Sequence, residues 1–342
     1  GYLYLSSCSD SWLAHCRANA ESLACDLGLD GDSLVVELGS NDGYLLQFFR
    51  DLGVPALGVD PAPAPVAAAR KRGIDTIGAP FTLALAQSRL RDVSADLVVS
   101  NNVLAHVADP HDFIQGVRAI LAEGGTWVIE VPYVLDLVSA CAFDTVYHEH
   151  LCYFSLTSLA RLLKQHGFQV RDVERLPTHG GSLRVRAGRS GSPSERVRTM
   201  LDDEQRGGWL EIEPYHRFAQ RACDIALELS GLLEDLAARG RSIAAYGAAA
   251  KGTILLNCLG PAARHVQFAA DRNPLKHGKW IPGVNIPIVG VEEIARRAPE
   301  TLLLLPWNLR QEVLQQQRGY LEQGGQVIVP LPRLEAIGVA DL

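Results

Sequence analysis

A histidine-rich segment at residues 143–154 concentrates side chains that could carry out acid–base chemistry. Its centre is a run of four consecutive titratable residues: Tyr147, His148, Glu149 and His150. A zinc site of the His-Glu-x-x-His type would need a histidine at position 152, which is a cysteine, so we predict no metal here. An imidazole has an ordinary pKa of about 6.5, and a positioned general base contributes about 10²–10⁴-fold to a rate. The run therefore indicates a general base, although ordinary hydrogen-bonded packing in a turn is the alternative.

A glycine-rich turn at residues 37–43 follows the first predicted strand. Its glycines let the backbone approach a ligand at the start of the next helix. The spacing is G-x-x-x-G, unlike the G-x-G-x-x-G of dinucleotide sites, and Asn41 and Asp42 would crowd or repel a pyrophosphate. A cationic ligand with an adenosine suits the turn better, so we predict S-adenosylmethionine. The residues expected to bind it are Glu37, Gly39, Asn41, Gly43, Asp60 at the end of the next strand, where it could accept hydrogen bonds from a ribose, and Asn101.

A second turn with small residues, at 247–252, follows another predicted strand. Its backbone permits close approach, the start of a helix attracts anions, and Lys251 adds a positive charge. The lysine precedes the second glycine, so the turn is not a P-loop. It could hold the pyrophosphate of a substrate, and the alternative is a plain turn with a solvated lysine.

Short apolar strands alternate with helical stretches in both halves of the chain, which is typical of α/β folds with parallel sheets. Predicted strands at 168–175 and 182–186 are joined too closely for a helical crossover and should pair antiparallel. Five parallel strands followed by such a pair is the order of class I methyltransferases. We predict an α/β fold with a class I methyltransferase Rossmann-like domain over 1–190, a helical linker over 191–240 and a second Rossmann-like domain over 241–342. The other predicted strands are 34–38, 56–60, 74–77, 96–100, 126–131, 243–246, 266–270, 302–305 and 327–329.

The composition excludes several classes of protein. Acidic residues outnumber basic ones by 39 to 32, and no basic run occurs, which argues against binding to nucleic acid or to an anionic membrane. No apolar run approaches the roughly 20 residues that span a bilayer. The seven cysteines are never spaced C-x-x-C, so neither disulfides nor a thiolate zinc site is indicated. We expect a cytoplasmic protein that binds small molecules, of unknown oligomeric state.

The sequence resembles the bacterial nucleotide-diphosphosugar C-methyltransferases along nearly its whole length. Seven motifs carry the resemblance, in this order: VVELGSNDGYLLQ, NNVLAHVADP, FDTVYHEH, LPTHGGSLRV, AAYGAAAKG, DRNPLKHGKWIPGVNIPI and LPWNL. That family methylates C3 of a 4-keto-6-deoxy sugar carried on a nucleoside diphosphate, with S-adenosylmethionine as donor. Its products are branched deoxysugars for antibiotics and cell-surface glycans. The resemblance implies the same reaction here.

The resemblance also implies roles for individual residues. His150 matches the general base that removes the C3 proton, with Tyr147 and Glu149 as its companions. His106 matches another residue of the sugar site, and Tyr4 matches an active-site tyrosine. Tyr147 and His106 would donate hydrogen bonds to the enolate oxygen, which makes proton abstraction by a histidine feasible. The residues expected to contact the substrate are His179, Tyr246, Lys251 and Asn308.

Three rival functions remain to be weighed, two by experiment and one by its sequence pattern. An O- or N-methyltransferase would show no deuterium exchange at a carbon beside a keto group. A catalytically idle sugar-nucleotide-binding module would bind ligand without consuming S-adenosylmethionine. A nicotinamide-dependent oxidoreductase is disfavoured, because neither glycine turn has the G-x-G-x-x-G pattern.

Members of the resembling family usually carry a small zinc-binding domain with clustered cysteines ahead of the tyrosine-containing segment. The chain starts at Gly1, its single methionine is Met200, and its cysteines are scattered. We expect that domain to be absent from this chain, either because it was removed or because it was lost.

Overall fold

The computed structural model describes residue 7 and residues 10–341 of the 342-residue chain. Its helices are α1 (Asp10–Leu27), α2 (Leu46–Asp51), α3 (Pro63–Lys71), α4 (Leu83–Ser88), α5 (Pro110–Ile120), α6 (Val134–Ser139), α7 (Leu156–Gln165), α8 (Glu195–Arg206), α9 (Glu213–Ala238), α10 (Ala250–Cys258), α11 (Glu292–Arg297), α12 (Arg310–Gln316) and α13 (Arg318–Glu322). Its strands are β1 (Val35–Leu38), β2 (Ala56–Asp60), β3 (Thr76–Gly78), β4 (Ala95–Asn101), β5 (Leu121–Pro132), β6 (Gln169–Leu176), β7 (Ser182–Gly188), β8 (Ile243–Tyr246), β9 (Val266–Ala270), β10 (Trp280–Ile281), β11 (Ile286–Val289), β12 (Thr301–Leu304), β13 (Gln326–Val329) and β14 (Glu335–Ile337). Within this described part of the chain, no helix is both long and apolar enough to cross a membrane.

The described residues form two compact units. The first combines the residues up to Tyr133 with Leu151–Gly207, and the second combines Val134–His150 with the residues from Gly208 onward. Residues 143–150 of the histidine-rich segment are therefore part of the second unit. The division into domains at residues 190 and 240 follows a different criterion and stays a prediction.

The first unit is built on a seven-stranded sheet in the order β3-β2-β1-β4-β5-β7-β6. Strands β1 to β5 pair parallel with their neighbours, whereas β7 lies antiparallel between β5 and β6. The antiparallel pair is where the short connection between its strands predicted it. The structure thus confirms the expected α/β class with a class I methyltransferase strand order.

Apolar side chains explain why these elements pack as they do. All four residues of β1 are buried, as expected for a parallel strand that is covered on both faces. Helix α5 turns one apolar face inward, formed by Phe113, Ile114, Val117 and Ile120. The helix starts at Pro110 because the Asp109 side chain accepts hydrogen bonds from the next free N–H groups, and proline is favoured in the first turn.

The second unit contains its own seven-stranded sheet, in the order β10-β11-β9-β8-β12-β13-β14. Strands β11, β9, β8, β12 and β13 run parallel, and the edge strands β10 and β14 are antiparallel to their neighbours. Its core includes Leu229 and Leu233 of α9 and Leu255 of α10. The sequence predicted β8, β9, β12 and β13 but not the three outer strands, of which β10 has only two residues and β11 contains Pro287.

Candidate active site

The residues predicted to bind the cofactor lie at one edge of the first sheet. Strands β1 and β4 are neighbours, while β2 and β3 continue the sheet on one side and β5 on the other. The strand order therefore changes direction between β1 and β4. Ligands of parallel α/β sheets bind in the crevice beyond the carboxyl ends of such strands.

Unusual backbone conformations shape the turn after β1 and the loop after β4. Gly39 and Gly43 have φ angles of 71° and 78°. A Cβ atom on Gly39 would lie 2.4 Å from Cγ2 of Val103, so the two loops approach each other closely. Asn41 and Asn102 have φ angles of 49° and 55°, in a region that residues other than glycine seldom occupy. Backbone strain of this kind clusters at ligand sites.

Asp60 braces the same turn from the end of β2. Its Oδ2 accepts a hydrogen bond from the N–H of Asn41 at 2.9 Å, and its Oδ1 accepts one from the N–H of Ala62 at 2.8 Å. Burial raises the pKa of this carboxyl group, and the two backbone hydrogen bonds oppose the rise. Each carboxylate oxygen can accept a further hydrogen bond, so the side chain can still bind a ribose hydroxyl.

Glu37 and Asn101 bring buried polar groups to this edge. Glu37 is fully buried in β1, and burial raises the pKa of its carboxyl group well above the usual range, against the opposing effect of the Tyr44 hydroxyl. Neither side-chain amide atom of Asn101 has a hydrogen-bond partner among the described residues. Buried polar atoms of this kind mark places where a ligand or water completes the bonding. An acid, an amide and an open backbone turn fit the ammonium, carboxylate and adenosine groups of S-adenosylmethionine.

Glu130 of β5 lies beside Asn101 in the sheet and is also fully buried. A nitrogen of Arg184 is 2.6 Å from its Oε1, and His15 of α1 lies 3.4 Å from the same oxygen. Burial alone would raise the pKa of Glu130, but the hydrogen bond from His15 and the charge of Arg184 hold it below the usual range. In the described part of the unit, Glu37 is thus the fully buried glutamate at this edge that has no cationic partner.

His106 lies in the loop after β4, in a short 3-10 turn, Leu104–His106, and is exposed. The carbonyl oxygen of Ala105 accepts hydrogen bonds from the N–H groups of Leu151, at 2.8 Å, and Cys152, at 3.1 Å. Leu151, within the histidine-rich segment, is the residue at which the chain returns to the first unit. That point of return is therefore fixed directly beside His106.

Residues 143–150 of the histidine-rich segment form a 3-10 turn, Phe143–Thr145, followed by a loop in the second unit. The N–H of His150 donates to the carbonyl of Tyr147 at 2.9 Å, and their ring centroids are 4.3 Å apart. The Nδ1 atom of His150 lies 2.7 Å from the carbonyl oxygen of Thr145. The structure thus brings His150 and Tyr147 together, whereas Glu149 is exposed.

The contact with Thr145 determines how the His150 ring is protonated. A carbonyl oxygen can only accept a hydrogen bond, so the proton of the neutral ring must lie on Nδ1. The lone pair then lies on Nε2. Of the two ring nitrogens, Nε2 is therefore the one that can accept a proton.

The second unit has its own change of strand order, between β8 and β12. Gly247 follows β8 with a φ angle of 83°, and a Cβ atom there would lie 2.6 Å from Cδ of Pro306. The Nζ atom of Lys251 is 4.3 Å from the ring centroid of Trp307 and donates a hydrogen bond to Oδ1 of Asn308. Burial lowers the pKa of Lys251 to about 8. Two of the predicted substrate residues, Lys251 and Asn308, are thus in contact.

Asp271 directly follows β9 and is the counterpart of Asp60 in the second unit. Its Oδ2 accepts from the N–H of Ala248 at 2.7 Å, and its Oδ1 accepts from the N–H of Asn273 at 2.8 Å. Lys276 forms an ion pair with it at 3.1 Å. The sequence interpretation did not assign this residue, although the signal used for Asp60, an acid at the end of the second strand, was present.

Of the three remaining predicted site residues, Tyr246 makes a different contact, and two are not described by the structure. The side chain of Tyr246 is buried, and its hydroxyl donates to Oε1 of Gln316, on α12, at 2.9 Å. Tyr4 and the side chain of His179 lie outside the described residues. The roles given to these residues stay predictions.

Comparison with known proteins identifies the family. A methyltransferase domain model matches residues 16–173, and a C-methyltransferase C-terminal domain model matches residues 177–332. The C-methyltransferase NovU of Streptomyces niveus is 38% identical over 340 residues, which cover 98% of this chain and 81% of NovU. An uncharacterized methyltransferase of Mycolicibacterium gilvum is 30% identical over 95 residues, covering 28% of this chain and 37% of that protein.

Among solved structures, the magnesium protoporphyrin IX methyltransferase of Synechocystis, with bound S-adenosylmethionine, is 16% identical, with a TM-score of 0.41. The match covers 52% of this chain and 79% of that one. The relationship to NovU extends over both units and over both domain models. The chain belongs to the C-methyltransferase family and is an S-adenosylmethionine-dependent C-methyltransferase.

Proposed function

We propose that this enzyme methylates C3 of a nucleoside-diphosphate-linked 4-keto-6-deoxy sugar, with His150 as the general base. The observation that carries the proposal is the 2.7 Å contact between Nδ1 of His150 and the carbonyl oxygen of Thr145. This contact supports Nε2 as the atom that accepts the proton, and methylation of a carbon atom requires a base because a C–H bond must break. Membership of the C-methyltransferase family supports carbon as the atom that is methylated.

The proposed reaction begins at the carbon beside the keto group. Nε2 of His150 takes the C3 proton, the C–H electron pair forms the C3–C4 double bond, and the keto oxygen becomes an enolate. That proton is acidic enough for an imidazole only if hydrogen-bond donors stabilise the enolate oxygen. We assign this task to Tyr147, whose ring lies against His150, and to His106. Glu149 and Tyr4 complete the proposed catalytic set.

S-adenosylmethionine would supply the methyl group: C3 would bond to the methyl carbon as the S–CH3 bond breaks, the C4 keto group would re-form, and S-adenosylhomocysteine would leave. The contribution of the protein to that step would be mainly orientation. We assign its binding to the carboxyl edge of the first sheet. The acid of Glu37 suits its ammonium group, and Asp60 suits its ribose. The full proposed set is Glu37, Gly39, Asn41, Gly43, Asp60 and Asn101.

We assign the nucleoside diphosphate to the second unit. Lys251 has a partly desolvated ammonium group in the first turn of α10, where the helix dipole also favours an anion. A diphosphate would favour the charged form of this lysine. Asn308, Tyr246 and His179 are the further proposed contacts, and residues 241–342 are the proposed nucleotide domain.

The base assignment is tested with His150→Asn and a matched control, His148→Asn, two residues away. Each variant is incubated with labelled S-adenosylmethionine and a panel of nucleoside-diphosphate-linked 4-keto-6-deoxy sugars. His150→Asn should lose turnover by at least about 100-fold while it still binds S-adenosylhomocysteine, and His148→Asn should stay within about threefold of the wild type. Near-normal turnover by His150→Asn would remove His150 as the base.

A further inference from the structure

Asp144 is a buried acid that neither the sequence interpretation nor the proposed reaction uses. It lies in the 3-10 turn at the start of the histidine-rich segment, and its solvent exposure is 0%. The indole N–H of Trp307 donates a hydrogen bond to its Oδ2 at 2.8 Å. The other oxygen, Oδ1, has no hydrogen-bond partner among the described residues. Burying an ionisable group costs folding free energy, so a buried acid at this position needs a structural or functional explanation.

The turn that Asp144 occupies also holds the carbonyl that orients the proposed base. Thr145 is the next residue, and its carbonyl oxygen is the one that lies 2.7 Å from Nδ1 of His150. The hydroxyl of Thr145 donates to the carbonyl of Ala142 at 2.7 Å, and the N–H of Val146 donates to the carbonyl of Phe143 at 3.0 Å. These bonds make the turn rigid within itself. The hydrogen bond from Trp307 to Asp144 then fixes the turn to the loop after β12.

Lys251, the proposed diphosphate contact, packs against the same indole. Its Nζ atom lies over the ring of Trp307, whose N–H is bonded to Asp144. Burial raises the pKa of Asp144 to about 6, against the hydrogen bond from Trp307 and the charge of Lys251. The indole therefore contacts a cation with its face and an acid with its edge, as its charge distribution favours.

We propose that Asp144, held by the indole N–H of Trp307, is a positioning residue that sets the Thr145 carbonyl and thereby aims His150 at the sugar carbon. The inference rests on the proposed function, because it explains how the proposed base is oriented. Asp144 touches neither substrate nor cofactor in this scheme. A shift of about 1 Å in a reacting group can cost about 100-fold in rate, so the loss of this anchor should be visible in the proton-transfer step.

The test measures the base step alone, as solvent deuterium exchange at C3 of the keto-sugar nucleotide without S-adenosylmethionine. The variants are Asp144→Ala, Asp144→Asn and Trp307→Phe, with Trp280→Phe as control, since Trp280 is 60% exposed in the same unit. An asparagine oxygen can still accept the indole N–H, whereas alanine cannot, and phenylalanine has no N–H to donate.

We expect Asp144→Ala and Trp307→Phe to lower the exchange rate and kcat by about 10- to 100-fold, with KM changed by less than about threefold. Asp144→Asn and Trp280→Phe should stay within about threefold of the wild type. Equal rates in Asp144→Ala and the wild type would overturn the proposal. So would an equal loss in Asp144→Asn and Asp144→Ala, because the charge and not the hydrogen bond would then matter.

Thermal stability and kcat per active site distinguish a positioning role for Asp144 from a merely structural one. A merely structural role predicts that Asp144→Ala lowers the melting temperature and the concentration of active enzyme, with unchanged kcat per active site, and this result would also contradict the proposal. Failure of the proposed function looks different. In that case the wild-type enzyme itself shows no exchange, or His150→Asn exchanges as fast as the wild type.

Discussion

Glu37 combines complete burial with a carboxyl pKa that burial raises well above its usual range. The Tyr44 hydroxyl opposes the rise, and the nearby acids Asp60 and Asp42 add to it. Cys16 of α1 also faces this group, and burial raises the pKa of its thiol. In the unliganded protein Glu37 therefore holds its proton to a higher pH than a solvated glutamate does.

A ligand that places an ammonium group beside Glu37 would favour the ionised form and release the proton. The affinity for S-adenosylhomocysteine should then rise with pH until Glu37 is ionised without ligand, and level off above that pH. Titration calorimetry in two buffers with different ionisation enthalpies measures the released proton. Glu37→Gln should bind more weakly, with no proton release from this site. Identical pH dependence in Glu37→Gln and the wild type would contradict the assignment.

At the scale of single residues, the sequence predicted those that stand in recognisable patterns. Gly39 and Asp60 were predictable because a glycine turn after a strand and an acid at the end of the next strand have defined backbone roles. Asp144 was not, because nothing in the letters around it shows that the turn is buried or that Trp307 lies against it. The tautomer of His150 likewise depends on a carbonyl that only the fold brings into place.

Helix α7 depends on a buried acid from a different helix. Oε1 of Glu204, on α8, accepts hydrogen bonds from the Tyr133 hydroxyl at 2.9 Å and from the N–H of Leu156 at 2.7 Å, and Oε2 accepts from the N–H of Thr157 at 2.8 Å. The two N–H groups belong to the first turn of α7, where such donors have no partner within the helix. Glu204 thereby joins α7, α8 and the end of β5.

Glu204→Gln should destabilise the first unit, because the amide nitrogen cannot accept the hydrogen bond that one of the carboxylate oxygens now accepts. We expect a loss of about 2–3 kcal/mol, in line with buried hydrogen bonds to charged groups. Chemical denaturation compares it with Asp202→Asn, an exposed position on the same helix that should change stability by less than about 0.5 kcal/mol. Equal stability of the two variants would show that Glu204 does not brace α7.

At the scale of elements, the spacing between strands was predicted more reliably than the residues at which the strands begin and end. The close succession of β6 and β7 left no room for a crossover helix, so their antiparallel pairing followed from chain length alone. Strand β5 begins at Leu121, five residues before its predicted start at 126. The prediction missed these first residues because they include Gly124 and Gly125 and lack an apolar pattern. The outer strands β10 and β14 are too short for their patterns to stand out.

At the scale of the whole molecule, two units with the same plan each place an acid, Asp60 or Asp271, at the end of a second strand. The repetition of strands and turns along the chain was enough to predict the first sheet and the four strands β8, β9, β12 and β13 of the second. The packing of residues 134–150 with the second unit was not predictable, because it depends on contacts between segments far apart in sequence. The proposed base therefore belongs to the unit that we assign to the nucleotide.

The most direct test of the central claim identifies the atom that receives the methyl group. The enzyme is incubated with S-adenosylmethionine carrying a ¹³C-labelled methyl group and with the panel of nucleoside-diphosphate-linked 4-keto-6-deoxy sugars, and the product is examined by NMR. We expect a labelled methyl group bonded to C3, with loss of the C3 proton and dependence on His150. A labelled methyl group on oxygen or nitrogen, with the C3 proton retained, would contradict it.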